Sequence, residues 1–231
     1  MNIFFITPFP NTVKSFMESS MIKKAVDKGL VNYKILNLFN YAKPPHHNID
    51  DYPFGGGTGM VMKPEPIFNA YDDLKTNLKN LKSRIIYPSP DGKVFNQGEA
   101  KKLKNNDSLV FICGHYKGVD QRVRNELVTD EYSIGDYVIT GGELSSLVIA
   151  DSVIRLLPGV LNNIVSAETD SFESNLLDGE YYTRPEDFRG LKVPEVLLSG
   201  HHKKIEEWKL KLKQDKTKKY RPDLWRKYNK S

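Results

Sequence analysis

Two charged residues in an apolar setting are the first candidates for chemistry. Asp151 and Arg155 stand four apart within 144–161, a stretch that is otherwise mostly apolar. At helical spacing they share a face and form a local ion pair, worth a few tenths of a kcal/mol if exposed. A helix this apolar is buried on most sides, however, and a buried charge needs a partner or a task. Asp170 lies in Glu168-Thr169-Asp170-Ser171-Phe172. It reads either as a helix N-cap or as a general base at a seam between two parts of the chain. Residue types alone do not choose between these readings.

Glycine-bearing segments are the second group. Residues 87–92, 114–118 and 135–142 are three such segments at strand ends. The pair Gly141-Gly142 suits a backbone that something must approach where a Cβ would intrude. On that reading Gly141→Val costs ligand affinity more than it costs folding. The run Gly55-Gly56-Gly57-Thr58-Gly59 is neither a dinucleotide fingerprint nor a phosphate loop, because the lysine–hydroxyl pair that grips a nucleoside triphosphate is missing. The histidine pairs His46-His47 and His201-His202 have no cysteine or carboxylate spacing to complete a metal site, so no metal ligands are assigned. Cys113 is the single cysteine and can form no internal disulfide.

These residues need elements to position them. Met1–Thr7, Val31–Leu38, Arg84–Tyr87, Ser108–Cys113 and Tyr137–Thr140 read as strands. Residues 13–28, Glu65–Leu81, Asn96–Leu103, Asp120–Leu127 and Glu143–Leu157 read as helices, and Pro88–Gly92 as a turn. Residues 41–59 form a long loop. Strands alternating with helices predict an α/β domain with a mostly parallel sheet, and ligands in such sheets sit beyond the carboxyl ends of the strands. After this catalytic and ligand-binding domain at 1–161, residues 162–175 read as a linker and 176–231 as a small, mostly helical unit with a helical stretch at Lys203–Lys213.

Charge divides the chain in the same way. Residues 1–170 are neutral overall, whereas 200–231 hold 12 Lys and Arg against 4 Asp and Glu. A basic tail on a neutral body points to an anionic partner, nucleic acid first. The start of the chain has no basic segment leading an apolar run, and 144–161 is broken by Asp151 and Arg155. Neither a signal peptide nor a membrane span is therefore expected, and a cytoplasmic location is.

Six segments in order, DDYPFGGGTGMVM (50–62), SIGDYVITGGE (133–143), DSVIRLLPGVL (151–161), SAETDSFESNLLDG (166–179), YYTRPEDFRG (181–190) and VPEVLLSGHH (193–202), make the chain similar to the bacterial tRNA (guanine-N1)-methyltransferases of the TrmD type. The resemblance spans essentially the whole chain. It implies the SPOUT class, whose α/β sheet ends in a deep trefoil knot, an exception to the rule that chains do not thread loops. It implies a homodimer with active sites shared between subunits, no membrane and no DNA. It further implies S-adenosyl-L-methionine as methyl donor, with magnesium as an optional second cofactor, and methylation of N1 of the tRNA guanosine immediately 3′ of the anticodon. Position by position, Tyr87, Pro88, Ser89, Gly114, Tyr116, Gly118, Ile134, Gly135, Tyr137, Val138, Gly141 and Gly142 fall on the family's cofactor loops. Asp170 falls on its catalytic aspartate and Arg155 on the arginine that assists it. Gly56, Gly57, Arg184 and His202 fall on RNA-contacting positions. Two departures stand out: Lys117 occupies a position where the family usually carries glutamate, and the loop before DDYPFGGG is short. The alternative is a related SPOUT enzyme acting on another RNA base.

Overall fold

A computed structural model describes residues 1–161, 171–172 and 174–230. The chain divides into two compact units, Met1–Asn162 and Asn163–Ser231.

In the first unit, β1 (Asn2–Thr7), β2 (Asn32–Asn37), β5 (Ser83–Val94), β6 (Ser108–Ile112) and β7 (Asp130–Ser133) form one sheet in the order β2-β1-β6-β5-β7. Every neighbouring pair is parallel. Two-residue strands β3 (Asp50–Asp51) and β4 (Val61–Met62) pair separately. The helices are α1 (Pro10–Met17), α2 (Ser20–Asp27), α3 (Pro64–Leu78), α4 (Gln97–Leu103), α5 (Gln121–Glu126) and α6 (Gly142–Ile154).

Successive strand side chains point to opposite faces, so the apolar runs of β1 and β6 feed two cores. Ile3, Phe5, Leu109 and Phe111 join Val13, Met17, Ile22, Ile149 and Val153 on one side. Phe4, Ile6, Val110 and Ile112 join Ile67, Ala70 and Leu74 of α3 on the other. Phe5 and Phe111 stack at 5.2 Å between centroids. Central parallel strands covered on both faces read as unbroken apolar sequence. Edge strand β2 instead alternates exposed and covered positions.

Four expectations need correction. Residues 13–28 are two helices broken around Ser19, with Ser20 at φ 47°; continuous apolar spacing does not reveal a single left-handed residue. Pro88–Gly92 is no turn closing a strand, because β5 runs through it to Val94 with a register shift against β7 between Pro88 and Lys93. Proline-rich sequence in a strand here marks a bulge. Tyr137–Thr140 is not a strand. The fifth strand is Asp130–Ser133, whose two leading carboxylates conceal it from an apolar pattern search.

In the second unit, a hairpin of β8 (Asp187–Phe188) and β9 (Leu191–Lys192) precedes α7 (Glu195–Leu198), α8 (His202–Tyr220) and α9 (Pro222–Tyr228). Thr217 is fully buried and its Oγ1 accepts the Leu177 N–H at 2.8 Å. Trp225 and Tyr228 stack at 5.6 Å. Among the described residues no helix is long and apolar enough to cross a membrane.

Candidate functional site

The β5 bulge and the two loops that leave the carboxyl ends of its neighbours β6 and β7 enclose a cleft of about 210 Å³. Tyr87, Pro88, Ser89, Gly114, Tyr116, Gly118, Ile134, Gly135, Tyr137, Val138, Gly141 and Gly142 all line it. The geometry thus brings twelve residues, spread over more than fifty positions, to one surface.

The β5 bulge is held from outside. The Arg124 guanidinium on α5 donates to Asp91 at 2.7 Å and to both carboxylate oxygens of Glu131 at 2.9 and 2.6 Å, and lies over the Tyr87 ring at 5.6 Å. A bidentate guanidinium with a stacked aromatic fixes both distance and plane. Burial raises the Tyr87 hydroxyl pKa above its ordinary value, which keeps the group protonated.

Glycine in these loops serves close approach of chain to chain. A Cβ on Gly114 would lie 2.8 Å from the Tyr87 ring. One on Gly142 would lie 2.7 Å from the Gly114 nitrogen, where the Gly142 N–H donates to Gly114 O at 2.8 Å. One on Gly141 would lie 2.1 Å from His115 Cε1. The expectation that Gly141 is small chiefly to admit a ligand is therefore corrected: its missing Cβ leaves room for His115. Gly135, at φ +146°, does require glycine for its backbone, and the Tyr137 ring fills the space beside it.

His115 belongs to a cluster that sequence reasoning missed. Its Nε2 lies 2.6 Å from Glu143 Oε2, the Thr7 hydroxyl donates to Glu143 Oε1 at 2.5 Å, and the Phe9 ring covers the imidazole at 4.7 Å. Glu143 is buried, with 4% of its surface exposed. Burial alone would raise its pKa, but hydrogen bonds from His115 and Thr7 outweigh this and hold it below the ordinary carboxylate value. The first turn of α6 also favours an anion. Its partners lie 28 and 136 residues away. No spacing rule links them; the only local signal was a carboxylate opening an apolar helix.

Other predicted residues lie elsewhere. Arg155 caps the far end of α6, about 20 Å along the axis from Gly142 at 1.5 Å per residue, and does not line the cleft. Asp170 lies outside the described residues. Gly56 and Gly57 sit in an exposed loop with φ +80° and +120°. Arg184 and His202 are exposed in the second unit. Lys117 lines the cleft, its N–H donating to Met60 O at 3.0 Å and its stem crossing Gly59, whose Cβ position is 3.1 Å from Lys117 Cγ. Among the described residues no Asp or Glu lines the cleft. Among the described residues no group of three or more His, Cys, Asp or Glu could hold a metal ion.

A parallel α/β sheet with glycine loops converging beyond its carboxyl ends defines the class: a protein that holds a small ligand over its strand ends. The family model described as tRNA (Guanine-1)-methyltransferase TrmD matches residues 1–227. A tRNA (guanine-N(1)-)-methyltransferase of Shouchella clausii is 53% identical, over 99% of this chain and 93% of its own. That of Clostridioides difficile is 48% identical over 99% of both chains, and one from Bacillus cereus is 51% identical over 97% and 91%. The chain belongs to the TrmD family of tRNA (guanine-1)-methyltransferases.

Proposed function

We propose that this protein transfers a methyl group from S-adenosyl-L-methionine to N1 of the guanosine immediately 3′ of the anticodon, position 37, of tRNA. The observation that carries the reading is the family match across residues 1–227. The cleft supports it. Ile134, Val138 and Pro88 offer apolar surface, Tyr137 offers a ring, and the glycine loops expose backbone donors and acceptors, a combination that suits an adenosine. The donor, when bound, supplies an electrophilic methyl on a good leaving group. Among the described residues no carboxylate of the cleft lining could hold magnesium.

The chain's own task is position and proton transfer. Guanine N1 carries a proton, and its lone pair becomes available only as that proton leaves, so a base must lie within hydrogen-bond reach. Asp170 takes this role. Arg155 stabilises charge developing on guanine O6; set directly against Asp170 it would depress that carboxylate and weaken the base. The target base leaves its stack, at lower cost in a single-stranded loop. The basic 200–231 segment, with Arg184 and His202, grips phosphates, and Gly56 and Gly57 border the target base.

The working unit is a homodimer with active sites shared between subunits. Arg155 stands about 15 Å along α6 from Ser145, which lines the cleft of its own chain, and this separation supports a partner supplying the arginine. The exposed side of α6 carries Leu144 and Val148, 54% and 48% exposed, in line with Asp151 and Arg155. Antiparallel pairing of two such helices would lay each Arg155 near the other chain's Gly142. The deep trefoil knot belongs to the same reading. So do a first domain at 1–161, a linker at 162–175 and a tRNA-binding unit at 176–231, in the cytoplasm where tRNA is made.

Primer extension tests the base assignment, because methyl on N1 blocks pairing. A stop one base before position 37, seen only after reaction, is expected. A stop at another base would favour a related RNA methyltransferase of different specificity.

A further inference from the structure

The cleft has an unusual charge balance for a cationic ligand. Among the described residues that line it, Lys117 is the only one with a permanent charge, and none is acidic. Glu143, beside the lining residue Gly142, is engaged by His115 and Thr7. Lys117 is exposed. Its backbone N–H donates to Met60 O at 3.0 Å, and its side-chain stem passes Gly59, where a Cβ would approach Lys117 Cγ to 3.1 Å and Cε to 3.2 Å. Lys117 is itself part of the cleft lining, so a charge on a bound ligand lies within Coulombic range of its side chain, an interaction that salt weakens because Lys117 is exposed.

We propose that Lys117 is a specificity-determining residue that weighs the charge of the bound cofactor, disfavouring the sulfonium donor and favouring the neutral thioether product. The inference rests on the S-adenosylmethionine reading. Transfer breaks the sulfur–methyl bond, forms the nitrogen–methyl bond and returns an electron pair to sulfur, while the N1 proton passes to the base. The donor's carboxylate and ammonium survive in the product, so whatever Lys117 does to them cancels in the ratio of the two affinities. Only the sulfonium charge differs. A cation in the cleft wall therefore makes this enzyme more sensitive to its own product than a neutral residue at 117 would.

Isothermal titration of the full-length protein with S-adenosylmethionine, S-adenosylhomocysteine and sinefungin, whose amine replaces the methylated sulfonium, tests this. Lys117→Gln is expected to shift the donor-to-product affinity ratio towards the donor by about three- to tenfold at low salt, the size expected for one charge at partly screened range. The shift should shrink near 0.5 M salt (~4 Å Debye length). Lys117→Arg should keep the wild-type ratio, and sinefungin should follow the donor. An unchanged ratio in Lys117→Gln, or equal loss of all three ligands, overturns the proposal. Failure of the wild type to bind donor or product overturns the cofactor reading itself.

Discussion

Gly141→Ala isolates one contact at the centre of the cleft. Gly141 has φ −167°, extended backbone that alanine adopts freely, so any cost is steric. The new methyl would lie 2.1 Å from His115 Cε1, 2.3 Å from Nε2 and 2.8 Å from Glu143 Oε2. His115 must leave, and its 2.6 Å contact with Glu143 breaks. A buried carboxylate then keeps only the Thr7 hydroxyl and the helix end. Losing one hydrogen-bond partner of a buried carboxylate costs about 1–3 kcal/mol. For a chain of this size that is a fall in Tm of about 2–12 °C. Urea unfolding followed by fluorescence measures the stability, and titration with S-adenosylmethionine measures the site. The double variant Gly141→Ala/His115→Ala should be no less stable than His115→Ala alone, since the clash disappears with the ring. A Gly141→Ala protein within about 0.5 kcal/mol of wild type would refute the reasoning.

Other consequences are equally direct. Asp170→Asn should bind S-adenosylmethionine normally yet lose most methyl transfer; near-normal turnover would remove Asp170 from the base role. Truncation after about residue 200 should abolish tRNA binding in a filter assay while donor binding persists. Leu144→Glu/Val148→Glu should give a monomer by light scattering, with the donor still bound and transfer lost. Glu99, held by Lys93 at 2.6 Å, Lys102 at 2.9 Å and the Tyr132 hydroxyl at 3.1 Å, has its pKa lowered to about 2. A depressed carboxylate stabilises the fold above its unfolded pKa of ~4.5 and loses that contribution as pH falls towards ~2. Glu99→Gln should therefore remove about 1–2 kcal/mol at pH 7, discounted because both lysines are exposed, and should show a flatter stability profile between those pH values.

Much of the scaffold was legible because its determinants are local. Ile3–Ile6 and Leu109–Ile112 are apolar and buried at every position, and parallel central strands demand that. Glycine at 114, 118, 135, 141 and 142 marked the loops before any coordinates did. The role of Gly141 was not legible, because its reason is a histidine 26 positions earlier. The Thr7–Glu143–His115 cluster was equally hidden: each residue alone is ordinary, and only the sheet order puts the end of β1 beside the start of α6. Strand β7 escaped notice because Asp130 and Glu131 open it, and β5 was cut short because two prolines resemble a turn when a bulge accommodates them. Arg155 was rightly suspicious as a charge on an apolar helix, yet only the length of α6 shows how far it stands from its own chain's cleft.

The central claim is methyl transfer to one nitrogen of one base. Full-length protein should be incubated with methyl-labelled S-adenosylmethionine, a tRNA carrying guanosine immediately 3′ of the anticodon, and the same tRNA with adenosine there. The account predicts stoichiometric label in the first, recovered as N1-methylguanosine, and background in the second. Equal labelling of both, or none in either, would contradict it.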